Sequence, residues 1–296
     1  MAARFGSVIT AMVTPFDAVG ALDLDAAATL ARWLEEQGNE GLVVAGTTGE
    51  APVLSDDEKR DLWRAVVEAV SIPVIAGTGS NDTRHTIEST KTAKECGAAA
   101  ALVVTPYYNK PTQAGLEAHF RAVAGATDLP LMLYDVPGRT AKRIDPSLLV
   151  RLAREVATIV AVKDAAGDPA TTARVVAETP DGFEVYSGDE PLMLPMAAVG
   201  AVGVVGVASH WTAPEQRELF AALEKGDLAV ARDINARLLP SFAFMNSETC
   251  VFSQATKALL TVLGLPVGEC RLPLGPAPDG TADRARAVLR GLGRDV

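Results

Sequence analysis

The chain has 296 residues, with 27 lysines and arginines against 37 aspartates and glutamates, so its formal net charge is −10. This length suits one large α/β domain, and the acidic balance argues against nucleic-acid binding and against binding to an anionic membrane surface, which both need basic patches. Three widely spaced cysteines, Cys96, Cys250 and Cys270, predict neither a zinc site nor a disulfide framework and fit a reducing compartment.

Two apolar segments could in principle be a membrane span or an export signal. The run 8–13 is too short for a secretory signal. Residues 191–214 contain no Asp, Glu, Lys or Arg, but Pro195 and Gly200 interrupt them, so a helix, a turn and a buried strand are predicted instead of a membrane span. The sequence therefore predicts a soluble, cytoplasmic protein.

Eight apolar, β-rich runs alternate with stretches of helical periodicity. The runs are 8–14, 41–47, 73–79, 101–107, 130–136, 159–165, 183–188 and 203–209, and the helices between and after them are 23–37, 55–70, 83–97, 113–126, 146–157, 169–178, 190–199 and 215–225. Asp23 can cap the first helix, and Ser-Asp-Asp-Glu at 55–58 spells a capping box for the second. Eight such repeats favour an α/β fold of the closed (β/α)8 TIM barrel type over an open doubly wound sheet.

The strand pattern stops after residue 209. Further helices are predicted at 227–245, 254–263 and 281–292. We therefore expect a catalytic barrel over 1–224 and a C-terminal helical extension over 225–296, which is short for a core of its own.

Lys163 lies inside the apolar run 159–165. Strand alternation places it on one face with Ala161 and Ala165, and Val160 and Val162 on the other. A lysine on such a face is costly to desolvate as a cation, so its pKa should fall, and a neutral amine is a nucleophile for a carbonyl carbon. The alternative is that Lys163 merely ends its strand and pairs in solvent with Asp164 or another acid.

Polar residues collect where the predicted strands end, the edge at which barrel enzymes form their active sites. The segments are 46–50, 77–81, 105–109, 134–140, Lys163, 187–189 and 205–209. Thr47 and Thr48 could donate to a small carboxylate, Tyr134 could transfer protons, and the Arg139 guanidinium could bind a second carboxylate. Each alone fits a turn or packing role, but together they predict a site.

Motifs for cofactors and metals are missing from the sequence. Gly77-x-Gly79 lacks the third glycine of a dinucleotide fingerprint, and His85, His119 and His210 have no metal-ligand spacing. The hypothesis of a phosphate-binding isomerase barrel remains an alternative, although the loops after the last two strands lack a basic residue. We therefore expect no metal and no cofactor.

Four segments, taken in order, resemble the dihydrodipicolinate synthase family: Gly-Thr-Thr-Gly-Glu at 46–50, Thr-Pro-Tyr-Tyr-Asn at 105–109, Tyr-Asp-Val-Pro-Gly-Arg at 134–139 and Val-Lys-Asp at 162–164. That family belongs to the pyruvate-dependent class I aldolases, which include N-acetylneuraminate lyase, and the resemblance covers essentially the whole chain, including Arg-Leu-Pro at 271–273. It implies a lyase that condenses pyruvate with L-aspartate 4-semialdehyde to 4-hydroxy-tetrahydrodipicolinate, the first step of the diaminopimelate and lysine branch. Its covalent Schiff base needs no cofactor.

The resemblance also implies residue roles. Lys163 would form the Schiff base and Thr47 and Thr48 would hold the pyruvate carboxylate. Tyr134, Thr48 and Tyr108 would form a proton relay, with Tyr108 supplied by a neighbouring subunit. The chain would then be an obligate homo-oligomer, in this family usually a tetramer built as a dimer of dimers.

Further implied contacts complete the site. Arg139 would bind the carboxylate of the semialdehyde, and the backbone at Gly188 and Val205 would line the lysine pocket. Two alternatives share parts of this set: a related aldolase or lyase acting on a sugar acid or 4-hydroxy-2-oxoglutarate would share Lys163 and Tyr134, and a non-catalytic barrel could bind a 2-oxo acid as a sensor.

One site departs from the family pattern. Feedback-sensitive members bind lysine with histidines and a glutamate at a dimer interface, where this sequence has Asp56, Lys59 and His85, although Asn81 and Tyr107 remain. A lysine at position 59 would repel the ammonium group of the effector. We expect lysine inhibition to be weak or absent.

Overall fold

Eight parallel strands close into a barrel in the computed structural model, which describes residues 3–247 and 249–296. The strands are β1 (Val8–Ala11), β2 (Gly41–Val44), β3 (Val74–Gly77), β4 (Ala100–Val104), β5 (Leu131–Asp135), β6 (Ile159–Asp164), β7 (Glu184–Ser187) and β8 (Gly203–Gly206). Each strand pairs with the next, and β8 pairs with β1. Every strand overlaps one of the predicted runs, so the (β/α)8 barrel is confirmed.

Helices surround the barrel and continue beyond it. They are α1 (Leu24–Glu36), α2 (Asp56–Ala69), α3 (Thr83–Glu95), α4 (Gln113–Gly125), α5 (Pro137–Thr140), α6 (Pro146–Glu155), α7 (Pro169–Glu178), α8 (Met193–Ala198), α9 (Ser209–Glu224), α10 (Leu228–Met245), α11 (Phe252–Val262) and α12 (Thr281–Gly291), with 3-10 turns at Ala51–Val53 and Glu190–Leu192. Both predicted caps form: the Asp23 carboxylate accepts from the Ala26 N–H at 2.9 Å, and Ser55 and Glu58 make a reciprocal capping box.

The chain after β8 departs from the prediction. The strand ends at Gly206, and α9 begins at Ser209 instead of residue 215. The backbone N–H groups of 207–209 donate to the Glu190 carboxylate at 2.8–2.9 Å, which takes them away from any strand pairing and caps the new helix. The helix continues through Pro214, and its first turns are buried. The short helix α5 was also missed, since Pro-Gly within 137–140 favoured a turn.

Up to Gly206, the uncharged segment 191–214 forms the helix α8, a turn at Gly200 and the strand β8, as predicted, and its last residues begin α9. Gly200 has a φ of +106°, which an L side chain rarely adopts. Among the described residues, none of the helices combines the length and the apolar character of a membrane span.

Inward and outward side chains of the barrel belong to two different apolar clusters. Ala161 and Tyr134 lie in the interior cluster, whereas Val162 faces the surrounding helices, as strand alternation predicts. Val160 is an exception, because it packs against the interior cluster although alternation placed it outside. The register between β5 and β6 shifts at Leu131/Met132, so the alternation is interrupted there.

The C-terminal helices share a core with the barrel. Side chains of α10, α11 and α12 belong to one apolar cluster with residues of α9 and with Val8 and Val204 of adjoining strands. The extension is therefore packed onto the β8 and α9 side of the barrel, and the expected boundary between 224 and 225 stays a prediction.

Candidate active site

Lys163 is buried near the carboxyl end of β6 and points into the barrel. Its side chain is 5% exposed, and its Nζ lies 4.4 Å from the centroid of the Tyr134 ring, its register partner on β5. Within residues 3–247 and 249–296, no carboxylate lies within ion-pair distance of this amine. Burial lowers the pKa of Lys163 to about 8, with Glu190 opposing the shift and Arg139 adding to it. About a tenth of the amine is therefore neutral at pH 7.

Asp164 does not pair with Lys163. Its side chain points to the other face of β6, where its carboxylate accepts from the Thr172 hydroxyl at 2.7 Å and from the Ala166 N–H at 2.9 Å. Asp164 is also buried, at 8% exposure. The alternative of a solvated Lys163–Asp164 ion pair is therefore wrong.

Small residues leave room for the lysine side chain. A Cβ at Gly188 would lie 3.0 Å from Lys163 Cγ and 3.1 Å from Lys163 Cε, so a larger residue would displace the amine. Val205 on β8 is 1% exposed and belongs to the same interior cluster as Tyr134. Gly188 thus adjoins the Lys163 side chain, whereas the pocket role of Val205 stays a prediction.

A cavity of about 570 Å³ opens at the carboxyl ends of the strands. Its lining includes Thr47, Tyr134 and Arg139 from the predicted set. Lys163 is not part of this lining, but its Nζ contacts the ring of Tyr134, which is. A space of this size can hold a small organic acid together with a second substrate.

The turn after β2 presents its threonines in different ways. Thr47 is half-buried and lines the cavity, whereas Thr48 is 2% exposed and its carbonyl accepts from the Ser253 hydroxyl at 3.1 Å. The Glu50 N–H donates to the Thr47 carbonyl at 3.1 Å and closes the turn. Glu50 itself has a φ of +58°, in the left-handed region.

Tyr134 and Arg139 are electrostatically linked. Burial raises the pKa of the Tyr134 phenol, while the Arg139 charge and the Thr47 hydroxyl oppose that shift. The phenol is therefore protonated at neutral pH and can both donate and accept. The Arg139 guanidinium, on α5, lies 4.5 Å from the centroid of the Phe252 ring, a cation–π contact with the first residue of α11 that the sequence did not reveal.

Tyr108 does not enter the cavity of its own chain. It is 90% exposed and adopts a φ of +71° in the loop after β4. Its neighbour Tyr107 lines the cavity. A role for the Tyr108 phenol beside Tyr134 would require a second chain.

The same cavity also contains most of the residues predicted at the effector site. Lys59, Asn81, His85 and Tyr107 line it, and Asp56 lies 3.4 Å from the His85 Nε2. Burial lowers the pKa of Lys59, and the Asp56 carboxylate opposes this. In the part of the chain that the structure describes, no group of three or more His, Cys, Asp or Glu side chains could hold a metal ion.

Two buried charges near the site were missed in the sequence. Glu190 is 2% exposed and accepts four hydrogen bonds, three from backbone N–H groups and one from the Gln216 amide. Lys257 is 2% exposed on α11 and pairs with Glu50 at 2.8 Å. The sequence signals are slight: Glu190 precedes the long uncharged segment, and Lys257 is the one charged residue in 255–262.

Comparison with known proteins points to one family. The model of the dihydrodipicolinate synthetase family matches residues 4–291. The 4-hydroxy-tetrahydrodipicolinate synthase of Acidothermus cellulolyticus is 51% identical over 98% of this chain and 94% of its own, and that of Bacillus subtilis is 46% identical over 92% and 94%. The dihydrodipicolinate synthase of Cyanidioschyzon merolae, solved with lysine bound, superposes with a TM-score of 0.95 at 40% identity, over 98% of this chain and 99% of that one.

Proposed function

The chain belongs to the dihydrodipicolinate synthetase family, and on that premise we propose that it condenses pyruvate with L-aspartate 4-semialdehyde to 4-hydroxy-tetrahydrodipicolinate. The carrier of the reaction is a Schiff base on Lys163. The observation that supports this most strongly is the buried Lys163 amine, unpaired with any described carboxylate and 4.4 Å from the Tyr134 ring. The chain is then a lyase of the class I aldolase type in lysine and diaminopimelate biosynthesis, and the covalent chemistry needs no cofactor.

Pyruvate is captured first. The neutral Lys163 amine attacks the keto carbon, the new C–N bond forms, and the former carbonyl oxygen leaves as water to give an imine. The hydroxyl and backbone donors of Thr47 and Thr48 bind the carboxylate. The Tyr134 phenol, protonated because of its burial, supplies the proton that the departing water needs.

The second substrate then reacts with the enamine. Tyr134, now a phenolate, takes a methyl proton from the imine and leaves an enamine, whose carbon attacks the aldehyde carbon of the semialdehyde while the Tyr134 phenol returns the proton to the new alkoxide oxygen. Arg139, on the rim of the cavity, binds the carboxylate of that substrate. The substrate amino group finally attacks the imine carbon, which closes the ring and releases the Lys163 amine. Gly188 and Val205 keep the pocket small around the lysine.

The proton relay extends to a second subunit. Tyr134, Thr48 and Tyr108 are its members, and Tyr108 acts on a neighbouring chain because it faces solvent on its own. The working form is then a homo-oligomer, proposed as a tetramer made of two dimers. The proposed location is the cytoplasm, with the barrel over 1–224 carrying the chemistry and 225–296 forming the extension.

Lysine inhibition is expected to be weak or absent. Lys59 lines the cavity, where its amine would repel the ammonium group of a lysine effector. Activity measured against increasing lysine tests this, and a steep loss at low added lysine contradicts it.

A coupled assay with a series of aldehydes tests the substrate assignment. Pyruvate is offered with aspartate semialdehyde, with sugar aldehydes and with glyoxylate, and consumption of pyruvate is followed. Turnover with the semialdehyde alone is expected. Preference for another aldehyde would indicate a related aldolase, and binding of pyruvate without any turnover would indicate a sensor.

A further inference from the structure

Lys257 and Glu50 form an ion pair that is excluded from solvent. Both side chains are 2% exposed, and Lys257 Nζ lies 2.8 Å from Glu50 Oε1. The amine also donates to the Glu269 carbonyl at 2.9 Å. A buried ion pair is generally no more stabilising than well-packed apolar side chains, because both charges lose their hydration. Its presence here therefore calls for a role other than stability.

Glu50 is the last residue of the turn that carries Thr47 and Thr48. Its N–H closes the turn on the Thr47 carbonyl, and its backbone is held in the left-handed region. Its second carboxylate oxygen, Oε2, accepts from the Arg271 N–H at 2.9 Å. The carboxylate thus connects one end of the turn to two points of the C-terminal extension.

Other contacts from the extension reach the same turn. The Ser253 hydroxyl, on α11, donates to the Thr48 carbonyl at 3.1 Å. The Arg271 guanidinium donates to the Val53 carbonyl at 2.9 Å, just after the turn, and to the Gly20 carbonyl at 2.8 Å. The turn is therefore contacted at Thr48 and at Glu50 by groups of the extension, and Arg271 also binds the chain on either side of it.

The aromatic ring of Phe16 orients the two cations. Lys257 Nζ lies 4.3 Å and the Arg271 guanidinium carbon 4.2 Å from its centroid. Gly268 packs closely against the Phe16 backbone, since a Cβ at Gly268 would lie 1.9 Å from the Phe16 carbonyl oxygen. Both cations therefore pack against the Phe16 ring, and Lys257 in turn contacts Glu50 of the turn.

We propose that the Glu50–Lys257 ion pair positions the Thr47–Thr48 turn for the pyruvate carboxylate, so that the C-terminal extension sets the affinity for pyruvate. This rests on the proposed function. Removal of one partner leaves the other charge buried and unpaired, and the turn must move to hydrate it. Removal of both partners leaves a neutral pair that can stay in place. Glu50, Lys257 and Ser253 are positioning residues that do not touch the substrate.

Borohydride trapping of the pyruvate imine in the full-length chain tests the proposal. The half-saturating pyruvate concentration is measured for Lys257→Met, Glu50→Gln and the double variant. Each single change is expected to raise that concentration about tenfold or more, and the double variant to recover most of the loss. The pH dependence of trapping stays as in the parent chain, because the surroundings of Lys163 are unchanged.

A milder change and a matched control complete the experiment. Ser253→Ala removes one hydrogen bond to Thr48 and is expected to raise the half-saturating concentration about two- to fivefold, even if a single charge variant fails to fold. Arg294→Met breaks another contact between the extension and the barrel, 2.6 Å to Glu215 of α9, and should leave the concentration unchanged.

The outcomes distinguish the positioning role of the ion pair from the proposed function of the chain. The positioning role would be overturned if Ser253→Ala and the folded charge variants had half-saturating pyruvate concentrations like that of the parent chain and only a lower melting temperature. Failure of the parent chain to form any pyruvate adduct would instead contradict the proposed function.

Discussion

Two lysines are buried in different regions of this molecule, and they differ in what surrounds the amine. Lys163, at the barrel mouth, has an aromatic ring at 4.4 Å and, in the described ranges, no carboxylate partner, whereas Lys257, beneath the turn after β2, has Glu50 at 2.8 Å. An unpaired buried ammonium gives up its proton more readily than a paired one. Burial of a lysine therefore creates a nucleophile at one place and a structural cation at the other.

The comparison predicts its largest effect at Lys163. Replacing Lys163 by Ala should lower kcat by a factor of roughly 10⁴ or more, because the covalent route is lost. The folded state should persist, since removing a lysine from an apolar wall relieves a desolvation cost. Steady-state kinetics and circular dichroism check the two statements. Retention of turnover, with the adduct moved to Lys257, would reverse the assignment of the two amines.

Arg139 should separate the two substrates. Arg139→Ala is expected to lower kcat/KM for the semialdehyde roughly a hundredfold, because a charge-assisted contact to its carboxylate is lost. The half-saturating pyruvate concentration for borohydride trapping should stay close to that of the parent chain. If that concentration rose as much as kcat/KM for the semialdehyde fell, Arg139 would belong to the pyruvate site.

The pKa of Lys163 should govern the pH dependence of imine formation. Since the pKa lies at about 8, the initial rate should rise about tenfold per pH unit well below pH 8 and level off above it. The Glu190 carboxylate stabilises the ammonium form, so Glu190→Gln should move the inflection to lower pH. A shift to higher pH, or no inflection between pH 6 and 9, would contradict the proposed electrostatics.

The smallest predicted effect is at Asp135, where a substitution should change only the pH dependence of the stability. Burial raises the pKa of this carboxyl to about 7, and the nearby Asp164 adds to the shift. Because the folded-state pKa exceeds the unfolded value, the contribution to stability is complete below about pH 4 and is lost as the pH rises toward 7. Urea unfolding of Asp135→Asn should show a smaller fall in the free energy of unfolding over that interval. An unchanged slope would show that other groups are responsible.

The two lysines also differ in how well the sequence alone could predict their surroundings. Lys163 could be recognised as a candidate nucleophile because strand alternation assigns its side chain to one face of a short apolar strand. Lys257 was not, because helices commonly carry a lysine on a solvent face, and only the tertiary fold brings Glu50 against it. The strands and the cavity residues Thr47, Tyr134 and Arg139 followed from local pattern. The early end of β8 did not, since it depends on the Glu190 carboxylate accepting from the backbone of 207–209.

Peptide mass mapping after borohydride reduction in the presence of pyruvate identifies the amine that carries the Schiff base. We expect one reduced adduct per chain, on the peptide that contains Lys163, and an unmodified peptide at Lys257. An adduct on Lys257 equal to that on Lys163, or a Lys163 peptide that stays unmodified while pyruvate is consumed, would contradict this assignment.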